Sequence, residues 1–288
     1  MNGTALALVL AAAIVHAAWN LAAKRVRNGG ATFVFLYYTV SAFVCVPIAT
    51  ISLLARHQRA QWILLIAATL TALFHVGYGV VLQRGYTVGD LSVVYPLARG
   101  SGPLLSVFAA VVLLGERPGA LGLAGAVLVV CGVLLIGTGS STGVLDRRAR
   151  RAGIGYGLLT GVTIAAYTLW DDYSVNALGI PPLVYFAAGS VLQTVLLGPV
   201  AIRQRRIAGL WRAHWREVLV VGIFSPVAYV LVLYAMRMAP VSLVAPAREV
   251  SIVLGGLAAW LVLGEADPVR RLTGSVIVLA GIAAIAVS

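Results

Sequence analysis

The sequence predicts an all-α integral membrane protein of ten transmembrane helices, arranged as an inverted 5+5 repeat. Three observations predict it. The 288 residues are 61% hydrophobic and 10% charged, with a mean hydropathy of +0.98, whereas a soluble domain carries about 25% charged residues. Ten mostly apolar stretches approach the roughly 20 residues that a helix needs to cross a bilayer. The second half also repeats the first at a spacing of about 149 residues. Five is odd, so a second five-helix copy must cross the membrane in the opposite sense.

Segment one, Thr4–Ala23, has no basic stretch ahead of Leu6–Val15 and reads as a retained helix, not a cleaved leader. Segments two (Ala31–Ala55) and three (Trp62–Gln83) follow, and segment four (Leu91–Leu114) contains Arg99. Segment five, Gly119–Gly137, is apolar with Gly125 and Gly132 seven residues apart. Segment six, Gly153–Trp170, carries Gly153, Gly157 and Gly161, two small-xxx-small steps that let backbones approach closely. Segments seven (Pro182–Ile202) and eight (Val218–Met236) precede segment nine (Val241–Leu263), which contains Arg248. Segment ten, Leu272–Val287, repeats the glycine spacing of segment five at Gly274 and Gly281. Two five-helix repeats result, 1–145 and 152–288. Cys45 and Cys131 fall inside apolar segments, as packing residues rather than a disulfide.

Connections are short except for two basic stretches, Asp146–Arg151 and Arg203–Glu217, so function must lie among the helices. The net charge of +12 has no accompanying basic and aromatic stripe, which excludes nucleic acid as the simple reading. Of the 21 Lys and Arg, fifteen follow segments one, three, five, seven and nine, and four lie on the other side. Basic loops face the cytoplasm and anionic lipid. The bias therefore places both termini outside a cell inner (plasma) membrane.

The remaining two cations are Arg99 and Arg248, inside apolar runs. A charged side chain at the bilayer centre costs roughly 2.5–3.5 kcal/mol on insertion scales and is kept for a partner or a task. Their surroundings match: Ser92-Val-Val-Tyr-Pro-Leu-Ala-Arg99 and Ser242-Leu-Val-Ala-Pro-Ala-Arg248, each followed 17 residues later by the glutamate of Leu-Gly-Glu, at Glu116 and Glu265. Both arginines sit about eight residues into their segments, roughly 10–12 Å deep. Pro96 and Pro246 each free a backbone carbonyl one turn earlier, as in the broken helices of transporters. A guanidinium offers a planar fork suited to carboxylate or phosphate. The alternative is an arginine tied to carbonyls that locks segments four and nine. Glu116 and Glu265, at helix exits, are expected to close the turn into the following helix.

On these motifs, the glycine-spaced segments and the opening His16-Ala-Ala-Trp-Asn20, the chain resembles the drug/metabolite transporter superfamily, in its EamA-type ten-helix group, over essentially its whole length. The resemblance implies a permease or exporter of amino acids or other metabolites. It also implies a central cavity lined by helices one to four and six to nine, with five and ten peripheral. Relatives are described with cytoplasmic termini, the reverse of the charge bias here.

Candidate substrate-binding residues are Arg99, Arg248, Trp19, Asn20, His75, Tyr78, Tyr95, Tyr229 and Thr168; Glu249 and His16 are candidates for coupling or gating. His16, Trp19 and Asn20 share a helical face, as do His75 and Tyr78. Tyr167 and Thr168 occupy the matching place in segment six, with Ser225 and Tyr229 in segment eight. Tyr37, Tyr38 and Tyr185 read as interfacial anchors. Glu249, whose counterpart in the first half is Gly100, is expected to pair with Arg99 or carry a coupling proton. Adjacent helical residues point about 100° apart, so it is not expected to pair with Arg248.

No metal-binding, nucleotide-binding or phosphate-cradling pattern appears, so no cofactor, no metal and no catalytic residue is expected. The expected function is secondary transport of a small anionic or zwitterionic metabolite by alternating access. Membrane lipid surrounds it, a coupling proton is the candidate energy source, and a homodimer through segments five and ten is open. Two other readings stand beside it. One is a multidrug exporter of lipophilic cations coupled through Glu249; the other is an intramembrane enzyme or lipid-handling scaffold, against which the missing nucleophile–base pair argues.

Overall fold

Among the described residues, apolar runs bounded by charges and prolines become helices. The computed structural model describes residues 1–26, 29–57, 61–88, 91–137, 147–254 and 268–288. Among them are ten helices: α1 (Gly3–Lys24), α2 (Gly30–Ala55), α3 (Trp62–Val88), α4 (Leu91–Leu113), α5 (Ala120–Gly137), α6 (Arg147–Asn176), α7 (Pro182–Arg203), α8 (Ile207–Met236), α9 (Val241–Ala247) and α10 (Pro268–Val287). Seven of these, α1–α4 and α6–α8, are long and apolar enough to cross a membrane; α5 and α10 are shorter apolar helices. After α9 the helical backbone resumes at 250–254. The rest of the predicted ninth segment, and Glu265 just beyond it, lie outside the described residues.

Two boundaries differ from expectation, because hydropathy registers only the part of a helix inside hydrocarbon. Helix α6 starts at Arg147 and runs past Trp170 to Asn176. The basic stretch expected as a loop at Arg203–Glu217 is helical from Ile207, joined to the membrane part of α8 by a kink at His214 (φ −135, ψ 28). Trp211 and Trp215 are exposed there, and Arg216 Cζ lies 5.3 Å from the Trp215 ring centroid. This aromatic and basic turn suits the membrane–water boundary.

Helix packing carries the repeat symmetry. Exchanging the halves turns the α1–α8 contact into α6–α3 and α2–α8 into α7–α3, while α2–α7, α4–α9 and α5–α10 map onto themselves; all of these pairs touch. The α5–α10 pair depends on its glycines. A Cβ at Gly125 would lie 2.6 Å from the Gly281 carbonyl oxygen, and one at Gly132 would lie 2.7 Å from that of Gly274. The matched seven-residue spacing is thus one interlocking face within the chain.

Glu116 does not close the turn into the following helix, as the sequence suggested. It reaches across the fold to α9, where its Oε1 accepts from Val241 N–H at 2.9 Å and its Oε2 from Ser242 N–H at 3.0 Å. A helix start leaves such N–H groups without partners and favours negative charge. Every residue of α9 is buried, so water cannot replace the cap. Glu116→Ala is therefore expected to cost about 1–2 kcal/mol, with Glu116→Gln intermediate, read as the thermal unfolding midpoint in detergent.

Candidate functional site

A cavity of about 180 Å³ opens between the two repeats, lined from α1–α4, α6–α8 and the stretch just after α9. Neither α5 nor α10 contributes to its wall, as the resemblance implied. Helix α1 presents His16 and Trp19, α2 presents Tyr37 and Tyr38, and α3 presents Thr71, His75 and Tyr78. From the other elements come Arg99, Tyr167, Tyr185, Phe186, Ser190, Gln193, Ser225, Tyr229, Arg248 and Ser251.

One pole of this wall is cationic. Arg99 Nη1 lies 3.7 Å from Glu249 Oε2, and Arg248 Nε lies 3.4 Å from Glu249 Oε1. Both separations exceed the 2.7–2.9 Å of a closed charge-assisted hydrogen bond. Glu249 Oε2, buried, has no hydrogen-bond partner among the described residues. One carboxylate therefore holds two guanidiniums loosely, with fork donors left over. Arg248 also points Nη2 at the Tyr167 hydroxyl, 3.5 Å away.

The contact between Arg248 and Glu249 corrects the expectation that neighbours on a helix diverge by 100°. The helix stops here: α9 ends at Ala247, Glu249 N–H donates to the Pro246 carbonyl at 3.0 Å, and Ser251 N–H to that of Arg248 at 3.2 Å. These three-residue closures tighten the turn and swing the two side chains together.

The opposite pole is a buried carboxylate behind hydroxyls. Asp171 of α6 is fully buried and accepts from Thr71 Oγ1 at 2.7 Å, from Tyr185 Oη at 2.5 Å and from Tyr229 Oη. Helices α3, α7 and α8 are thereby tied to α6. His75 Nδ1 sits 2.9 Å from the Thr71 carbonyl oxygen; a carbonyl only accepts, so Nδ1 carries the proton. The His75 ring stacks on Tyr167 at 4.3 Å and meets Tyr229 edge-on at 5.5 Å. A continuous aromatic wall thus runs from the arginine pole to the Asp171 pole.

The EamA-like transporter family matches the sequence twice, over residues 3–138 and 151–287. The chain belongs to that family. As an EamA-like transporter it is a multi-pass membrane protein of the drug/metabolite transporter superfamily, whose members move solutes rather than catalyse reactions. One protein of known crystal structure superposes on 100% of this chain and 98% of its own, with a TM-score of 0.78 at 18% identity. That likeness concerns the fold alone. None of the curated proteins compared with it matches this sequence.

In this EamA-like transporter, Arg99, Arg248, Trp19, His75, Tyr78, Tyr229 and His16 all reach the cavity wall, and Glu249 sits directly behind the arginines. Three candidates do not reach it. Thr168 is fully buried in packing, one position round the helix from the cavity-facing Tyr167. Asn20 lies one turn beyond His16, toward the Lys24 end of α1. Tyr95 supports Arg99 from outside, with its ring centroid 5.9 Å from Cζ and its side chain exposed.

Tyr37, Tyr38 and Tyr185, read as interfacial anchors, belong to the site instead. Tyr185 lies one turn inside α7, yet it is 1% exposed because it turns inward to Asp171. In sequence the acidic pair Asp171-Asp172 reads as a helix end, but α6 continues to Asn176 and Asp171 turns inward. Gln193 also lines the cavity; its signal in the sequence is a lone amide in an apolar run, eight residues after Tyr185.

Proposed function

We propose that this EamA-like transporter carries a small metabolite bearing an acid group, anionic or zwitterionic, across the plasma membrane by alternating access. One observation carries the reading: two guanidiniums from symmetry-related motifs face a single cavity and share one loosely held carboxylate. An incoming carboxylate or phosphate would meet fork donors already desolvated and already in place. Substrate sites at the interface of inverted repeats, beside a broken helix, suit a mechanism in which one repeat rocks against the other. The break at Arg248 supplies that feature.

Size and charge weigh against a lipophilic-cation exporter. A cavity of about 180 Å³ falls below the roughly 300–1,000 Å³ of drug-sized pockets. Glu249, through which such an exporter was expected to couple, lies between two arginines.

The test is a thermal-stability screen of purified protein against small carboxylates, phosphates, amino acids and lipophilic cations. At least one acid is expected to raise the unfolding midpoint of the wild type and not that of Arg99→Gln. An acid that stabilises both equally would overturn the reading.

A further inference from the structure

The pole opposite the arginines has a chemistry of its own. A hydroxyl has one proton to give. Tyr185 and Tyr229 give theirs to Asp171, and Ser190 Oγ gives its own to the Ala187 carbonyl at 2.8 Å. All three line the cavity, so what they offer it is lone pairs. Gln193, 5% exposed and also on the cavity wall, has an Oε1 with no hydrogen-bond partner among the described residues. Behind these acceptors lies the Asp171 carboxylate, satisfied by neutral donors alone among its described hydrogen bonds. Its charge is therefore not cancelled locally. Rings complete the enclosure: Phe186 lies 5.8 Å from Tyr229, and His75 5.5 Å from it.

Hydroxyl lone pairs, an unpartnered amide oxygen, a negative field and aromatic faces together favour a cation that donates hydrogen bonds. They repel a second acid group. We propose that Tyr185, Ser190, Gln193 and Tyr229, backed by Asp171, form a subsite for a primary ammonium, so that the cargo is a compact zwitterion rather than a simple anion. This rests on the acid-binding reading of the arginine pole and narrows it. The two poles are close. Tyr167 touches Arg248, and Asp171 follows four residues later on the same helix, one turn or about 6 Å along the axis. One small molecule spans both.

The experiment uses matched probes on the full-length protein in detergent, with affinity read from thermal stabilisation. The probes are L-alanine, L-leucine and L-phenylalanine, each beside its 2-hydroxy acid (lactate, 2-hydroxyisocaproate, phenyllactate) and its decarboxylated amine (ethylamine, isoamylamine, phenethylamine). In at least one series the amino acid is expected to bind at least tenfold more tightly than either truncated analogue. Asp171→Asn and Gln193→Leu are each expected to compress the ratio of amino acid to hydroxy acid toward one. Hydroxy-acid binding by the variants reports that they are folded, and Gln193→Leu serves if Asp171→Asn is not. If the hydroxy acid binds as well as the amino acid in the wild type, the ammonium subsite is wrong while the acid-binding reading stands. If neither acid binds in any series, both fall.

Discussion

Arg248→Gln is expected to lower uptake of the acid substrate into proteoliposomes about a hundredfold. Truncating one partner of a buried hydrogen-bonded charge pair costs roughly 2–5 kcal/mol, and each 1.4 kcal/mol is tenfold. Here the loss has two sources. The ligand acid loses one of its two forks, and Glu249, 1% exposed, is left with Arg99 alone at 3.7 Å. Two further variants separate these contributions. Arg248→Lys restores the charge but not the planar fork, so uptake should return only in part. Adding Glu249→Gln to Arg248→Gln removes the stranded carboxylate, so the unfolding midpoint should recover while uptake does not. Recovery of uptake in that double variant would show that Arg248 serves Glu249 and not the cargo.

Gly125→Val should be severely destabilising although it lies outside the cavity, at about 3 kcal/mol, the upper end of the usual range for overpacking. The obstacle is backbone: the Gly281 carbonyl oxygen lies 2.6 Å from the new Cβ and the Ile285 nitrogen 3.0 Å from it. Neither can move without shifting α10. The opposing Gly281 faces the Gly125 carbonyl oxygen at the same 2.6 Å, so no slide of one helix along the other relieves the clash. The readout is the unfolding midpoint together with the fraction of monodisperse protein recovered from detergent. Protein that does fold should transport normally, because α5 and α10 do not line the cavity. Gly155→Val is the control: nothing lies within 4 Å of its Cβ, and it should be neutral.

The repeat was legible because its markers are charges and glycines in an apolar background. Arg99 and Arg248 stand out by cost alone, and the paired glycines declare a close approach whose partner is set by symmetry. What stayed hidden depended on where helices end and bend. Asp171 and Asp172 look like a polar boundary because sequence cannot show that three hydroxyls from α3, α7 and α8 converge there. The Arg248–Glu249 contact defeats helical-wheel reasoning because α9 ends at Ala247 and the chain tightens into three-residue closures just after it. Tyr185 resembles an anchor by its position one turn into α7, and only the inward hydrogen bond to Asp171 assigns it to the cavity. Thr168 and Asn20 lie off the cavity wall for different reasons: Thr168 points one position round the helix from Tyr167, and Asn20 shares the face of His16 but sits one turn beyond it.

The most direct measurement is a structure of the protein bound to the acid that stabilises it best. The predicted density places the acid group within hydrogen-bond distance of both the Arg99 and Arg248 guanidiniums, with Glu249 drawn back from at least one of them. Density for the ligand elsewhere, with both arginines still on Glu249 alone, would contradict the account.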